Sequence, residues 1–144
     1  MNKTQQSGFT LIELLVVIAI IGILASVVLA SLNQARSKGA DAAIKSNLAN
    51  ARAQAELYYD NNGNSYEGLC DDAEGLAPIM NELNRLKTGD PQCHSGSTAW
   101  AAAAQLITNK NLYWCVDSAG LSVQLQTPLE NDQQNCSSFV PTVS

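Results

Sequence analysis

The sequence predicts an α+β protein: a long N-terminal α-helix, half of it membrane-spanning, packed on a small antiparallel β-meander with a short second helix and two disulfides. Three observations predict it. The first is a stretch of 24 residues, Phe9 to Leu32, whose single charge is Glu13; at 1.5 Å per residue such a helix spans about 36 Å, enough to cross a bilayer. The second is that helical periodicity continues beyond that stretch with polar residues added. The third is a polar C-terminal part with four cysteines, turn signals and short alternating segments.

Composition narrows the function. Charged residues are only 15% of 144, below the roughly 25% usual for soluble domains, as expected if one end is hydrocarbon. The net charge is −5, from 8 Lys and Arg against 13 Asp and Glu. An acidic chain without a basic cluster is a poor nucleic-acid binder, and DNA binding finds no support here. The one histidine, His94, excludes multi-histidine metal sites. There is no Gly-rich phosphate loop, nucleophile elbow or His-Glu-x-x-His helix. The expectation is a non-enzymatic, membrane-tethered, extracytoplasmic protein without a cofactor.

Three readings fit the apolar segment: a plain transmembrane anchor, a secretory signal peptide cut after Ala30, or a processed filament helix. The signal-peptide reading suffers from length and from Glu13 within the run. The residues at its edge favour the third. Gly8-Phe9-Thr10-Leu11-Ile12-Glu13 leads into LLVVIAIIGILA, and this string closely resembles the N-terminus of type IV pilins and their pseudopilin relatives. The resemblance implies cleavage by a prepilin peptidase between Gly8 and Phe9 and N-methylation of Phe9. It also places the N-terminus in the cytoplasm and the head outside; the charges alone, Lys3 before the helix and Arg36 and Lys38 after it, do not decide orientation.

A carboxylate in a membrane helix costs about 2.5–3.5 kcal/mol at the centre, and usually has a partner. No Lys, Arg or His lies within a helical turn or two of Glu13, so the expected partner belongs to another chain. The resemblance supplies it as the amino group of Phe9 on a neighbouring subunit. Glu13 and Phe9 are thus the expected assembly residues. Gly22 marks a locally weak turn, and Ala30 stands where many Gram-negative pilins carry a proline.

Beyond Leu32, the residues Ile44, Leu48, Ala51, Ala55 and Tyr58 form one apolar stripe, with Asp41, Lys45, Asn47, Arg52 and Gln54 on other faces. Asn61-Asn62-Gly63-Asn64 ends the helix near Asp60. The domain boundaries follow: a leader over 1–8, the transmembrane and filament-core helix over 9–32, an amphipathic spine over 33–60 and a globular head over 61–144.

Within the head, residues 61–97 read as a long connection with one short helix, where Leu76, Ile79, Met80, Leu83 and Leu86 have helical spacing. Pro78 suits its first turn, and Gly89 lies beyond its end. Ala101 to Ala104 favour helix by propensity; the pilin layout implies a strand over 98–107 instead. Residues 111–117 and 121–126 read as strands, with Leu121, Val123 and Leu125 alternating against polar neighbours. A meander of about three strands results, completing a type IV pilin fold by resemblance. Of three possible pairings, spacing favours Cys70–Cys93 around the short helix and Cys115–Cys136 tying the tail to the sheet. No metal site is expected: Asp60, Asn62 and Asn64 have calcium-loop spacing but Ser65 stands where glycine is needed. Asp117, Glu130 and Asp132 read as solvated loop carboxylates, and His94 as a surface loop residue.

The resemblance implies a structural subunit, the major pilin of a type IV pilus. Its partners would be copies of itself, the prepilin peptidase, the pilus assembly machinery and, before assembly, the membrane. Adhesion, motility or DNA uptake would belong to the fibre. The alternative is a pseudopilin of a type II secretion system.

Overall fold

A computed structural model describes residues 8–86 and 88–137. The leader ahead of Gly8 and the residues beyond Ser137 lie outside the described residues. Two compact units divide at Arg36 and Ser37, and helix α1, Leu11–Asn61, contributes to both.

In the first unit every side chain from Gly8 to Arg36 is exposed in the single chain. The helix runs through Gly22 without a break, and the Ser26 hydroxyl donates to the Gly22 carbonyl at 2.7 Å. So the expected weak turn is helical here. The surface of this segment is a row of bare Leu, Ile and Val side chains, a composition that water does not tolerate over such an area.

The second unit is built on the polar half of α1. Its buried stripe is Asp41, Ile44, Leu48, Ala51 and Ala55, at alternating steps of three and four. The apolar members are four of the five that the periodicity picks out, the fifth, Tyr58, being half-buried against the same core; Asp41 corrects the reading, since it lies on the buried stripe and not on another face. α1 stops at a turn in which Gly63 and Asn64 both adopt φ of 64°, the left-handed region open to glycine and asparagine.

α2, Ala77–Arg85, follows with Pro78 in its first turn and Met80 and Leu83 buried. Leu76, just ahead of it, is fully buried too. Gly75 permits the approach, because a Cβ there would sit 2.2 Å from the Leu69 carbonyl oxygen.

Four strands then form an antiparallel meander in chain order: β1 Gln92–Ser95, β2 Trp100–Gln105, β3 Tyr113–Asp117 and β4 Ser122–Leu125. The sequence reading of about three strands missed β1, a run without one β-branched residue. Tertiary pairing made it, Cys93 facing Ala102 and His94 facing Ala101 in register. His94 is therefore a half-buried strand residue, not a surface-loop one.

β2 shows why alanine outweighed its helical propensity. It is hydrogen-bonded on both edges and covered on both faces. Trp100, Ala102 and Ala104 face the core made by α1, α2 and Val116. Ala101 and Ala103 pack on the other side with Cys115, Leu125, Leu129 and Cys136. Small side chains let both layers close on the strand, and burial context overrides strand propensity. β4 alternates along its length, with Val123 and Leu125 turned inward and Ser122 and Gln124 exposed; only Leu121, just before the strand, departs by remaining exposed.

Candidate functional site

At the start of α1, Gly8 and Phe9 lie exposed ahead of the first helical turn, Phe9 at 87%. Thr10 is the N-cap, its carbonyl accepting the first helical bond from the Leu14 amide. Glu13 sits three residues on and turns back. Its Oε2 accepts from the Thr10 backbone N–H and from the Thr10 hydroxyl, each at 2.8 Å, while the Glu13 amide donates to Thr10 Oγ1 at 3.3 Å. This is a reciprocal capping box, which satisfies two backbone donors that a helix start otherwise leaves open.

The geometry corrects one expectation. Glu13 does not depend on another chain for every partner, because Thr10 provides two donors within its own chain. Both donors are neutral, so the negative charge itself stays uncompensated apart from the helix N-terminal dipole. The capping role of Thr10 escaped the sequence reading, although the Thr-x-x-Glu spacing ahead of an apolar run signals it.

The head is held to α1 by polar contacts that the stripe does not show. The Asp41 carboxylate accepts from the Ile107 amide at 2.6 Å, from the Thr108 amide at 3.4 Å and from the Thr108 hydroxyl, fixing the β2–β3 connection. Arg52 donates to the carbonyls of Asp117 and Leu121 and to the Ser122 hydroxyl, fixing the β3–β4 turn. Lys45 places its ammonium 4.3 Å from the centre of the Trp114 ring, a cation–π contact.

The cysteines pair as the spacing favours: Cys70 with Cys93, and Cys115 with Cys136. The first bridge ties the post-helix loop to β1. The second pins the C-terminal segment over β3, where Asp117 reinforces it: Oδ1 accepts from the amides of Ala119 and Leu121, and Oδ2 from the Cys136 amide at 2.8 Å. The Asp117 carboxylate is thus committed to backbone donors, and is buried rather than solvated. No group of three or more His, Cys, Asp or Glu is placed to hold a metal among the described residues.

Tyr66 joins the loop after α1 to the helix by donating to Glu56 at 2.8 Å. Burial, reinforced by that carboxylate, pushes its phenol up to about 12.

Comparisons with known proteins agree with this architecture. The family model for the prokaryotic N-terminal methylation motif matches residues 3–29. The type IV major fimbrial protein FimA of Dichelobacter nodosus is 34% identical over 128 residues, which cover 76% of this chain and 80% of that protein. The type IV wide pilus major component PilA4 of Thermus thermophilus is 49% identical over 104 residues, 67% of this chain and 79% of its own length. No solved structure matches the chain. Its relatives, its N-terminal motif and its helix-on-meander architecture coincide in one conclusion: this chain belongs to the type IV pilin family.

Proposed function

We propose that the chain is the major structural subunit of a type IV pilus, made as a membrane-anchored precursor and assembled into an extracellular filament. Its work is polymerisation and not catalysis. The observation that carries this reading is the bare apolar helix from Phe9 to Leu32, exposed throughout in the single chain. Such a surface must be covered, first by lipid and then by the same helix of neighbouring subunits. Two relatives whose names make them major components of type IV fimbriae or pili favour a pilus over a secretion pseudopilus.

The maturation steps follow from the motif. Prepilin peptidase cuts between Gly8 and Phe9 on the cytoplasmic side, and the new amino group of Phe9 is methylated. Before the cut, the Phe9 nitrogen is a neutral amide; afterwards it is an ammonium. In a medium of low dielectric, an ammonium is worth far more to the Glu13 carboxylate of a neighbour than neutral hydrogen-bond donors are. Glu13 then has two duties, capping its own helix through Thr10 and drawing in the next subunit's Phe9. The pilus assembly machinery would select subunits so paired. The head faces outward and tiles the fibre surface, so adhesion, twitching motility or DNA uptake are properties of the fibre.

Two substitutions separate these duties. Glutamine preserves a capping box and removes the charge; valine removes both. Both variants are expected to insert in the membrane, and both are expected to fail to form filaments made only of themselves. Normal filament yield from Glu13→Gln would show that the cap, not the charge, is what assembly needs. Normal yield from Glu13→Val would remove Glu13 from the mechanism.

A further inference from the structure

Charge along the head is segregated by end. Between Arg52 and Arg85 the chain carries seven carboxylates and no lysine or arginine. Three of them are tied to the last turns of α1: Tyr58 donates to the Glu67 carbonyl, Gln54 to the Glu74 carbonyl, and Tyr66 to the Glu56 carboxylate. The end of a helix carries partial negative charge and favours cations, yet α1 has no basic residue in its last turn. One ion pair, Arg85 with Glu82, occurs among the described residues, so the carboxylates around the end of α1 are not neutralised from within the described chain.

The opposite end is basic. Lys38 and Lys45 share their stretch of α1 with Asp41 alone, and Asp41 is buried. Arg52 and Lys45 are engaged with the sheet. Lys38 is exposed one turn before Asp41, and Lys110 is exposed in the β2–β3 connection that Asp41 holds. The two ammonium groups therefore belong to one end of the head.

At the acidic end is a groove of about 400 Å³ beside α1. Leu57, 56% exposed, and Tyr58 give it an apolar wall, while Asp72 and Glu74 supply carboxylates beside the amides of Gln54, Asn61 and Asn62. An apolar wall with a carboxylate rim suits a lysine, whose stem packs on hydrocarbon while its head meets the charge. Lys38 cannot reach the groove of its own chain, since some 20 helical residues separate them by about 30 Å.

We propose that this groove receives the basic end, Lys38 and Lys110, of a second copy of the chain, in a head-to-tail contact between the heads of two subunits. The contact is heterologous, joining two different surfaces, and such contacts propagate into helical filaments wherever the rotation between copies does not close a ring. It rests on the filament reading above, and adds to it a charge-selected register for the heads, separate from the Glu13 register of the membrane helices. Complementary ends also discourage heads from meeting in the reversed orientation, which would bring like charges together.

The test is zero-length carbodiimide cross-linking of wild-type filaments, followed by peptide mass spectrometry. Filaments are expected to yield bonds from Lys38 or Lys110 to Asp72 or Glu74, and detergent-solubilised monomers to yield none. Filaments without these bonds, or monomers with them, would overturn the contact. A charge exchange provides a second arm. Lys38→Glu with Lys110→Glu is expected to lower sedimentable filament at least tenfold, with both disulfides still formed. Adding Asp72→Lys with Glu74→Lys to the same chain is expected to restore it. An undiminished yield from the first pair, or no recovery in the four-fold variant, counts against the proposal. If the wild-type chain forms no filaments at all, the filament reading falls and takes this contact with it; filaments that lack the cross-link remove this contact alone.

Discussion

Replacing Asp41 by alanine removes the one buried carboxylate that joins α1 to the β2–β3 connection. The wild-type side chain accepts a short bond from the Ile107 amide and further bonds from the amide and hydroxyl of Thr108. Hydrogen bonds to a charged group contribute about 1.5–3 kcal/mol each, and an abandoned buried donor costs a similar amount. The Ile107 bond is short and part-buried, whereas the exposed Thr108 can turn to water, so the sum is closer to one full bond and a fraction of another. A loss of about 3 kcal/mol is expected, which for a head of this size lowers the melting temperature by roughly 12–24 °C. The assay is a near-UV circular dichroism melt of the full-length chain in detergent, disulfides intact. Asp41→Asn retains one acceptor for the Ile107 amide and should fall between alanine and wild type. A melting temperature for Asp41→Ala within 2–3 °C of wild type, where exposed substitutions usually fall, would refute the anchoring role.

Three other outcomes follow from the same geometry. Removing the Cys115–Cys136 bridge by serine substitution opens a loop with a sequence separation of 21 and should destabilise the head by about 3 kcal/mol, read by denaturant titration. Tyr66 is expected to titrate near 12. Because its phenol is raised in the folded state, its contribution is complete below the unfolded value near 10 and is lost as pH climbs towards 12. Phenolate absorbance followed alongside the fold should show a late-titrating tyrosine that Tyr66→Phe abolishes; normal titration of all tyrosines would contradict it. Glu13→Gln is expected to separate capping from assembly, with membrane insertion intact and self-made filaments absent, as sedimentation of sheared material would record.

Much of this architecture was legible because its signals are local. The apolar run after Phe9 needs no tertiary context to be identified, nor does the spacing of Met80 and Leu83 on α2, with Leu76 just ahead of it. The cysteine spacing favoured the observed bridges for the same reason: each pair closes a short loop around one element. What escaped the sequence was set by burial from two sides. β2 is an alanine run because two layers must close on it, and nothing in Ala101 to Ala104 alone announces that. β1 owes its existence to pairing with β2 and to the bridge at Cys93. Asp41 has the correct angular position for the buried stripe, three residues before Ile44, but its polarity concealed a place that only the Ile107 and Thr108 donors make tolerable. At the start of α1 the omission was different. Thr10 and Glu13 carry an open capping signature, but a search for a cation passes over neutral donors, and Thr10 offers only those.

Everything proposed for this chain depends on maturation at Gly8–Phe9 followed by polymerisation. Intact mass and N-terminal sequence of the chain recovered from sheared surface filaments test it most directly. The account predicts a chain that begins at Phe9, heavier than its sequence by one methyl substitution and lighter by two hydrogens for each of its two disulfides. A chain that begins at Ser31, or one that retains its leader and never enters the sheared fraction, would contradict it.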